Sequence, residues 1–445
     1  MHAVKRWATW AKRTVIGDAL IRRAPFWYRP ALHVFDRLTR ASLAERKAWS
    51  LRRLERVLQA AWETEYGRQV GRARQITDWP LLEKDSVRES PTHFLRAPRW
   101  RTIPASTSGT MGLPLQLFRS YASISAEQAA IDWLYFTRGY NPRKLRVAVL
   151  RGENIKPPSD KTPPFWRWDA NGKRLVLSSN HLSADTIEHY YQILAEFAPD
   201  CLFAYPSALE SLCQLLLRRE KCLRIPLVVC SSEMPTDSTR PLVQQALHAE
   251  LIDYYGQAER VAFAYSFEQG AYYFLPGYAW TELIPVKQEP DGVIYEIVGT
   301  SLWNLAMPLV RYRTGDFIKL PEGVGASELE AICFGLTPFE KILGRSGDVL
   351  IAPDGAVLTG IDHIPRDVAH VVRMQVIQER PDYVRILVLP TQEFNDADRQ
   401  QILTNARLKI PDSMEVVIEI VDDLVRTEQM KTPFVIRKTS NEGTR

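Results

Sequence analysis

No stretch of this 445-residue chain is apolar for long enough to span a bilayer. No early apolar run survives either, because Lys12, Arg13 and Asp18 interrupt the N-terminus, so a secretory signal is not expected. Cysteine is scarce. Cys201, Cys213, Cys222, Cys230 and Cys333 are odd in number and form no CxxC pair, which argues for buried free thiols in a reducing cytoplasm. The net charge of +5 does not call for a nucleic-acid partner, and no recognition motif for one appears. Internal repeats and low-complexity tracts are absent as well.

What is present is ordinary for a globular protein: 45% hydrophobic and 24% charged residues, over a length that implies two or three domains. The positive excess is uneven. In the first sixty residues Lys5, Arg6, Lys12, Arg13, Arg22, Arg23 and Arg29 outnumber Asp18 and Asp36. A basic, solvated helix pair packed on the main body is the expectation. Contact with an anionic membrane surface, through Trp7, Trp10, Phe26, Trp27 and Tyr28, is the lesser alternative.

Residues 1–95 read as mainly helical. Residues 96–346 alternate apolar strands (146–150, 201–205, 225–230, 251–255) with helical runs (122–138, 189–197, 240–249), and Pro206 opens a further helix. That alternation predicts an α/β sheet with crossover helices. After Tyr272 the pattern changes to strands and turns. Residues 347–445 read as a small α+β module, with strands at 371–378, 384–389 and 415–421 and a helix at 397–408.

One stretch stands out. Ser106-Thr107-Ser108-Gly109-Thr110-Met111-Gly112-Leu113-Pro114 crowds hydroxyls and glycines into nine residues. It is either a surface turn or an anion cradle, in which glycines let backbone N–H groups converge on a phosphate and short hydroxyls add donors. Downstream come Tyr254-Tyr255-Gly256-Gln257-Ala258-Glu259 after a strand, and Val310-Arg311-Tyr312-Arg313-Thr314-Gly315-Asp316, read as a strand and Gly turn followed by a carboxylate. Leu343-Gly344-Arg345-Ser346-Gly347-Asp348 falls at the domain junction, and Met430-Lys431-Thr432-Pro433 lies near the end. Taken singly, an Asp after Gly is a turn residue and a Lys in a C-terminal tail is solvated.

The order TSGT-x-G-x-P, YGQxE, YRTGD, GRxxD and a terminal Lys resembles the acyl-adenylate-forming superfamily, in particular its phenylacetate–CoA ligase and capsule-biosynthesis-related branch. The resemblance runs from about residue 80 to the C-terminus. It implies a large N-terminal α/β domain of layered β-sheets and helices, with a small mobile α+β C-terminal domain turning about Gly347. It also implies a cytoplasmic acid–thiol ligase, AMP-forming, with ATP, Mg²⁺ and a small carboxylic acid as reactants and CoA as the probable acceptor.

Carried over by position, Thr107, Ser108, Gly109, Thr110 and Gly112 hold the β- and γ-phosphates, and Glu259 ligates Mg²⁺. Asp316 accepts from the ribose hydroxyls with Arg345 helping. Ser232, Glu233, Tyr255, Gly256 and Gln257 line the nucleotide. Lys431 bridges the carboxylate and the α-phosphate during adenylation. Tyr205-Pro206-Ser207 resembles a segment bordering the acyl pocket, and reads equally as a capped helix start. His181 either faces the carboxylate or is a structural histidine. Trp133, Tyr135, Phe136 and Tyr205 are compatible with an aryl or a fatty acid.

The chain departs from the family pattern in four places. Ala258 stands where relatives usually have Thr, and the lost donor is worth about 1–3 kcal/mol of transition-state binding. Gly347 replaces an acidic residue, and Met430 replaces the Gly that usually precedes the Lys. No Cys or His lies in residues 265–282, where some members of the branch carry zinc ligands, so no zinc is expected. These changes leave two alternatives beside the CoA ligase: transfer of the acyl group to an amine, hydroxyl or carrier protein, and a non-catalytic nucleotide-binding scaffold.

Overall fold

Buried β-branched runs pair into parallel strands when helices cover both faces, and residues 147–256 do this. The computed structural model describes residues 17–106, 115–151, 153, 155–156, 160, 162–169, 172–345, 350–351, 353, 357–358, 361, 364–365, 368–407, 409–426 and 432–438. Strands β1 (Ile103–Ser106) and β2 (Gln116–Arg119) pair antiparallel and flank the hydroxyl-rich loop. The sequence pattern marks no strand before residues 146–150, but the loop follows β1 directly, and the shortness of IPAS as an apolar signal explains why the strand escaped notice.

The largest sheet has eight strands: β3 (Val147–Arg151), β4 (Trp166–Asp169), β5 (Arg174–Ser178), β6 (Cys201–Ala204), β7 (Leu227–Ser231), β8 (Glu250–Gly256), β9 (Phe263–Glu268) and β10 (Ala271–Phe274). Their order is β10-β9-β8-β7-β6-β3-β5-β4, with β5, β3, β6, β7 and β8 parallel. The helices, in chain order, are α1 (Pro25–Thr39), α2 (Leu43–Trp62), α3 (Glu65–Gln69), α4 (Lys84–Glu89), α5 (Tyr121–Thr137), α6 (Ile187–Phe197), α7 (Pro206–Arg218), α8 (Thr239–Leu247), α9 (Ala326–Cys333) and α10 (Asp396–Arg407).

Helices α6, α7 and α8 cover one face of the sheet, through Tyr190, Leu209, Leu212 and Val243. Helices α1, α2 and α5 cover the other, through Phe35, Val57, Ala130 and Leu134. The N-terminal helix pair is therefore packed, but its basic and aromatic residues are not all solvated. Tyr28 is buried and donates to Asp132 at 2.6 Å, and Arg46 is buried against the carbonyls of Thr39, Ala41 and Gly335. Among the described residues no helix is long and apolar enough to cross a membrane.

A second sheet, β11 (Ala279–Glu289), β12 (Gly292–Ser301), β13 (Tyr312–Leu320) and β14 (Ile342–Arg345), runs antiparallel in that order. It meets the first at Gly299, where a Cβ would stand 2.0 Å from the Val261 carbonyl oxygen. The C-terminal strands β15 (Leu350–Ile351) and β16 (Val357–Leu358) pair with each other. Strands β17 (Val371–Arg380), β18 (Tyr383–Pro390), β19 (Glu415–Ile420) and β20 (Val435–Arg437) form a sheet ordered β19-β18-β17-β20. Helix α10 closes its core through Ile402 and Ala406.

Not all five cysteines are buried. Cys201, Cys213 and Cys230 are, but Cys222 is exposed in the loop between α7 and β7, and Cys333 is half-buried at the close of α9.

Candidate active site

In a doubly covered parallel sheet, ligands gather beyond the carboxyl ends of the strands. Here those ends carry Ser231 and Ser232 after β7, Tyr205 after β6 and Gly256 to Glu259 after β8. Ser232 has φ 75°, a left-handed turn that a serine rarely adopts, immediately before Glu233. Pro206 opens α7 with its fixed φ, and the Ser207 amide donates to Glu233 Oε2 at 3.0 Å. Glu233 Oε1 is buried with no hydrogen-bond partner among the described residues.

Each of the two candidate carboxylates is bonded to a tyrosine from the other's motif, Asp316 within β13 and Glu259 in the connection that follows β8. Tyr255 donates its hydroxyl to Asp316 Oδ2 at 2.6 Å, and Gln257 Nε2 donates to that phenol oxygen at 2.6 Å. Gln257 Oε1 in turn accepts from the Ala262 amide at 3.2 Å, which fixes the side chain's direction. Burial, and then the charge of Asp316, push the Tyr255 phenol well above its ordinary range, so it serves as a donor. On the same strand as Asp316, Tyr312 donates to Glu259 Oε1 at 2.9 Å. Lys84 Nζ lies 3.7 Å from that oxygen.

Glu259 is 6% exposed, and its Oε2 has no hydrogen-bond partner among the described residues. A buried anionic oxygen facing no donor fits a hard divalent cation such as Mg²⁺.

Asp316 does not follow its strand, as the sequence suggested, but sits inside β13 opposite Arg345 of β14. Gly315, at φ 67°, adds a kink where the pairing with β12 shifts register, and a bulge of this kind re-aims a side chain without ending the strand.

Thr107, Ser108, Gly109, Thr110, Gly112, Gly347 and Lys431 lie outside the described residues, as does the Arg345 side chain. The residues that flank two of these segments in sequence are described. Ala105 of β1, Leu117 of β2 and Leu115 just before β2 share one apolar cluster with Tyr312 and Ala258. The Ala258 carbonyl accepts from Arg119 Nη2 at 2.6 Å. Beside Lys431, Thr432 O accepts from Arg373 Nη2 at 3.0 Å and Pro433 O from Gln375 Nε2 at 2.8 Å. Arg373 also reaches Glu233 Oε2 at 3.5 Å, which ties the C-terminal sheet to the large domain.

Among the acyl-side candidates, Tyr205 packs its ring 5.0 Å from the Arg151 guanidinium. His181 is buried, 3.1 Å from Ser178 Oγ and stacked 5.2 Å from Phe165. The aromatic residues of α5 are placed elsewhere. Trp133 and Tyr135 are buried in the core against Tyr265 and Cys201, and Phe136 is 40% exposed on the outer side. Sequence reasoning missed Lys84, Arg119, Arg151 and Arg373, none of which sits in a recognisable motif. Tyr312 lay inside YRTGD, and its hydroxyl was the unused signal.

With this geometry in place, three kinds of likeness converge. The model of the CapK C-terminal domain family matches residues 350–438. Protein CapK of Staphylococcus aureus is 22% identical over 343 residues, which cover 75% of this chain and 73% of that one. These likenesses support the acyl-adenylate-forming superfamily for this chain and, within it, the branch of CapK and the phenylacetate–CoA ligases. The Pseudomonas putida phenylacetate-coenzyme A ligase is 26% identical over 280 residues, 61% of this chain but only 56% of the ligase, so the chain spans just over half of that relative. In fold it resembles 2-hydroxyisobutyryl-CoA ligase in its postadenylation state, with a TM-score of 0.64 at 18% identity over 90% of each chain.

Proposed function

We propose that this protein activates a carboxylic acid as its acyl-AMP at the expense of ATP and passes the acyl group to the thiol of CoA. The observation that supports the reading is the reciprocal pairing of the two motifs, Tyr255 on Asp316 and Tyr312 on Glu259, beside the strands that flank the hydroxyl-rich loop. An acid oxygen attacks the α-phosphorus, the bond to the β-phosphate breaks, and pyrophosphate leaves. The thiol sulfur then attacks the acyl carbon, loses its proton, and AMP departs.

The roles are those that the resemblance implies. Thr107, Ser108, Gly109, Thr110 and Gly112 hold the β- and γ-phosphates, and Asp316, with Arg345, accepts from the ribose. Ser232, Glu233, Tyr255, Gly256 and Gln257 border the base and the adenylate. Glu259 would hold Mg²⁺, which when bound supplies positive charge against the phosphate oxygens. Lys431 steadies the charge that develops between acid and α-phosphate. Its neighbours Thr432 and Pro433 are anchored to β17, and through Arg373 to Glu233, which favours delivery of that lysine to the cleft. After adenylation the small domain turns about Gly347 to admit the thiol.

Carboxylate-dependent exchange of labelled pyrophosphate into ATP tests the reading. Exchange that disappears in Lys431→Ala and Glu259→Gln sustains it. Tight ATP binding with no exchange across a broad acid panel overturns it in favour of a nucleotide-binding scaffold. Offering CoA, amines and hydroxyl compounds to the isolated adenylate then identifies the acceptor.

A further inference from the structure

The face of the large sheet that lies under α5 carries more positive charge than its carboxylates offset. Arg151 ends β3 in the middle of the sheet, and its guanidinium lies 4.1 Å from the centre of the Phe203 ring and 5.0 Å from that of Tyr205. Its Nε is buried with no hydrogen-bond partner among the described residues. Arg174, at the start of β5, shares the same face. Since Arg174 pairs with Val147 and Ser178 with Arg151, it sits about 13 Å deeper at ~3.3 Å per residue. Arg22 follows Ile21, which packs on Ile124 near the start of α5.

The acids of this face are already engaged. Asp132 holds Arg23 and Tyr28, at 2.6 Å each. Glu127 faces Arg260 at 3.6 Å and binds the Tyr278 hydroxyl, and Glu153 holds Arg167 at 3.3 Å. Arg22, Arg151 and Arg174 form no ion pair among the described residues. The undescribed positions between 1 and 171 include no Asp or Glu. A half-buried guanidinium without a counter-charge is costly, and one stacked on two rings is held in a fixed plane, ready for a bidentate anion.

We infer that the acid activated here carries a further anionic group, a second carboxylate or a phosphate, which Arg151 receives beneath α5 beyond the adenylate. This rests on the ligase reading above and narrows it. Arg174 marks the direction in which a longer acid extends. Of the aromatic residues that would have suited an aryl acid, Trp133 and Tyr135 are spent in the core and Tyr205 carries Arg151.

The test compares acids matched in length, with and without the second anion: butyrate against succinate, heptanoate against pimelate, and 3-phosphoglycerate as the phosphate arm. Acyl-AMP is measured by mass spectrometry. The melting temperature is recorded with each acid in the absence of ATP. The doubly anionic member of a pair is expected to give at least about tenfold more adenylate, falling to within about threefold in Arg151→Met at unchanged ATP affinity. The phosphate arm shows which anion is preferred. Should Arg151→Met fold poorly, Arg151→Lys keeps the charge, loses the planar fork, and is expected to retain part of the preference.

Equal or better use of butyrate, heptanoate or phenylacetate overturns this inference and leaves the ligase reading standing. If no acid is adenylated, the ligase reading fails and the melting shifts decide. Stabilisation by the doubly anionic acids that depends on Arg151 sustains the inference, and its absence overturns it.

Discussion

Arg373, on the first long strand of the C-terminal sheet, lies 3.5 Å from Glu233 of the large domain and also donates to the Thr432 carbonyl at 3.0 Å. One guanidinium thus links the candidate base-binding wall to the segment that carries Lys431. Replacing it frees that segment without touching the nucleotide. Arg373→Ala is expected to slow pyrophosphate exchange roughly tenfold, the equivalent of about 1.4 kcal/mol, while ATP affinity stays within about threefold. An equal fall in ATP affinity would show that Arg373 acts on the base-binding wall instead.

Tyr255 joins Asp316 and Gln257 in one buried chain of hydrogen bonds. Tyr255→Phe leaves two polar groups short of a partner and is expected to cost about 1–3 kcal/mol of folding stability, with weaker ATP binding alongside. Urea unfolding and calorimetric titration measure the two effects. A variant as stable as the parent, with unchanged affinity, would remove this chain from the account of the site.

Glu259 presents a buried oxygen with no donor facing it among the described residues. If that oxygen serves a cation, Glu259→Gln should raise the Mg²⁺ concentration needed for half-maximal ATP binding by about tenfold or more, and leave Mg²⁺-free binding nearly unchanged. Loss of ATP binding by the same factor with and without Mg²⁺ would contradict the assignment.

Asp253 is fully buried against Tyr272, and burial lifts its carboxyl to about 7, with the Tyr272 hydrogen bond and Arg240 opposing. The native state therefore keeps a proton that the unfolded chain gives up near pH 4. The stability this group confers is complete below about pH 4, is lost as the pH rises to about 7, and does not change above that. Asp253→Asn keeps an acceptor for Tyr272 and removes the titration. It should gain on the parent by on the order of 1–3 kcal/mol near pH 8 and by little near pH 4. Denaturation at both pH values tests the sign, and a gap that narrows with rising pH refutes it.

Ala258 bears on how much activity to expect. Its carbonyl is held by Arg119, whose guanidinium is brought down to about 9 by burial first and then by Arg260, so the backbone there is braced. Ala258→Thr adds a hydroxyl at a braced position and should speed exchange by up to about tenfold. An unchanged rate would mean that the hydroxyl does not reach the phosphate.

Much of the candidate site was legible because its parts lie in short motifs: Tyr255, Gln257 and Glu259 within six residues, and Tyr312 and Asp316 within five. The crossover helices were legible too, since apolar runs alternate with amphipathic ones. Lys84 and Arg373 were not, because a lone basic residue gains meaning only when the fold brings it to a distant carboxylate. The aromatic pattern of α5 misled for a related reason. Trp133 and Tyr135 look the same on paper whether they face a ligand or the core, and core packing claimed both. Strand β1 was too short to register, and Asp316 looked like a turn residue because Gly315 before it hides a kinked strand.

The narrow seam at Gly299 has a last consequence. Tyr255 hangs from one sheet and Asp316 from the other, and the two layers touch where Val261 leaves room for no side chain. On the proposed reading, recognition of the nucleotide is a property of a joint rather than of either half. A single methyl group at that joint would then pry the layers apart and blunt the proposed grip on ATP well before either layer lost its shape.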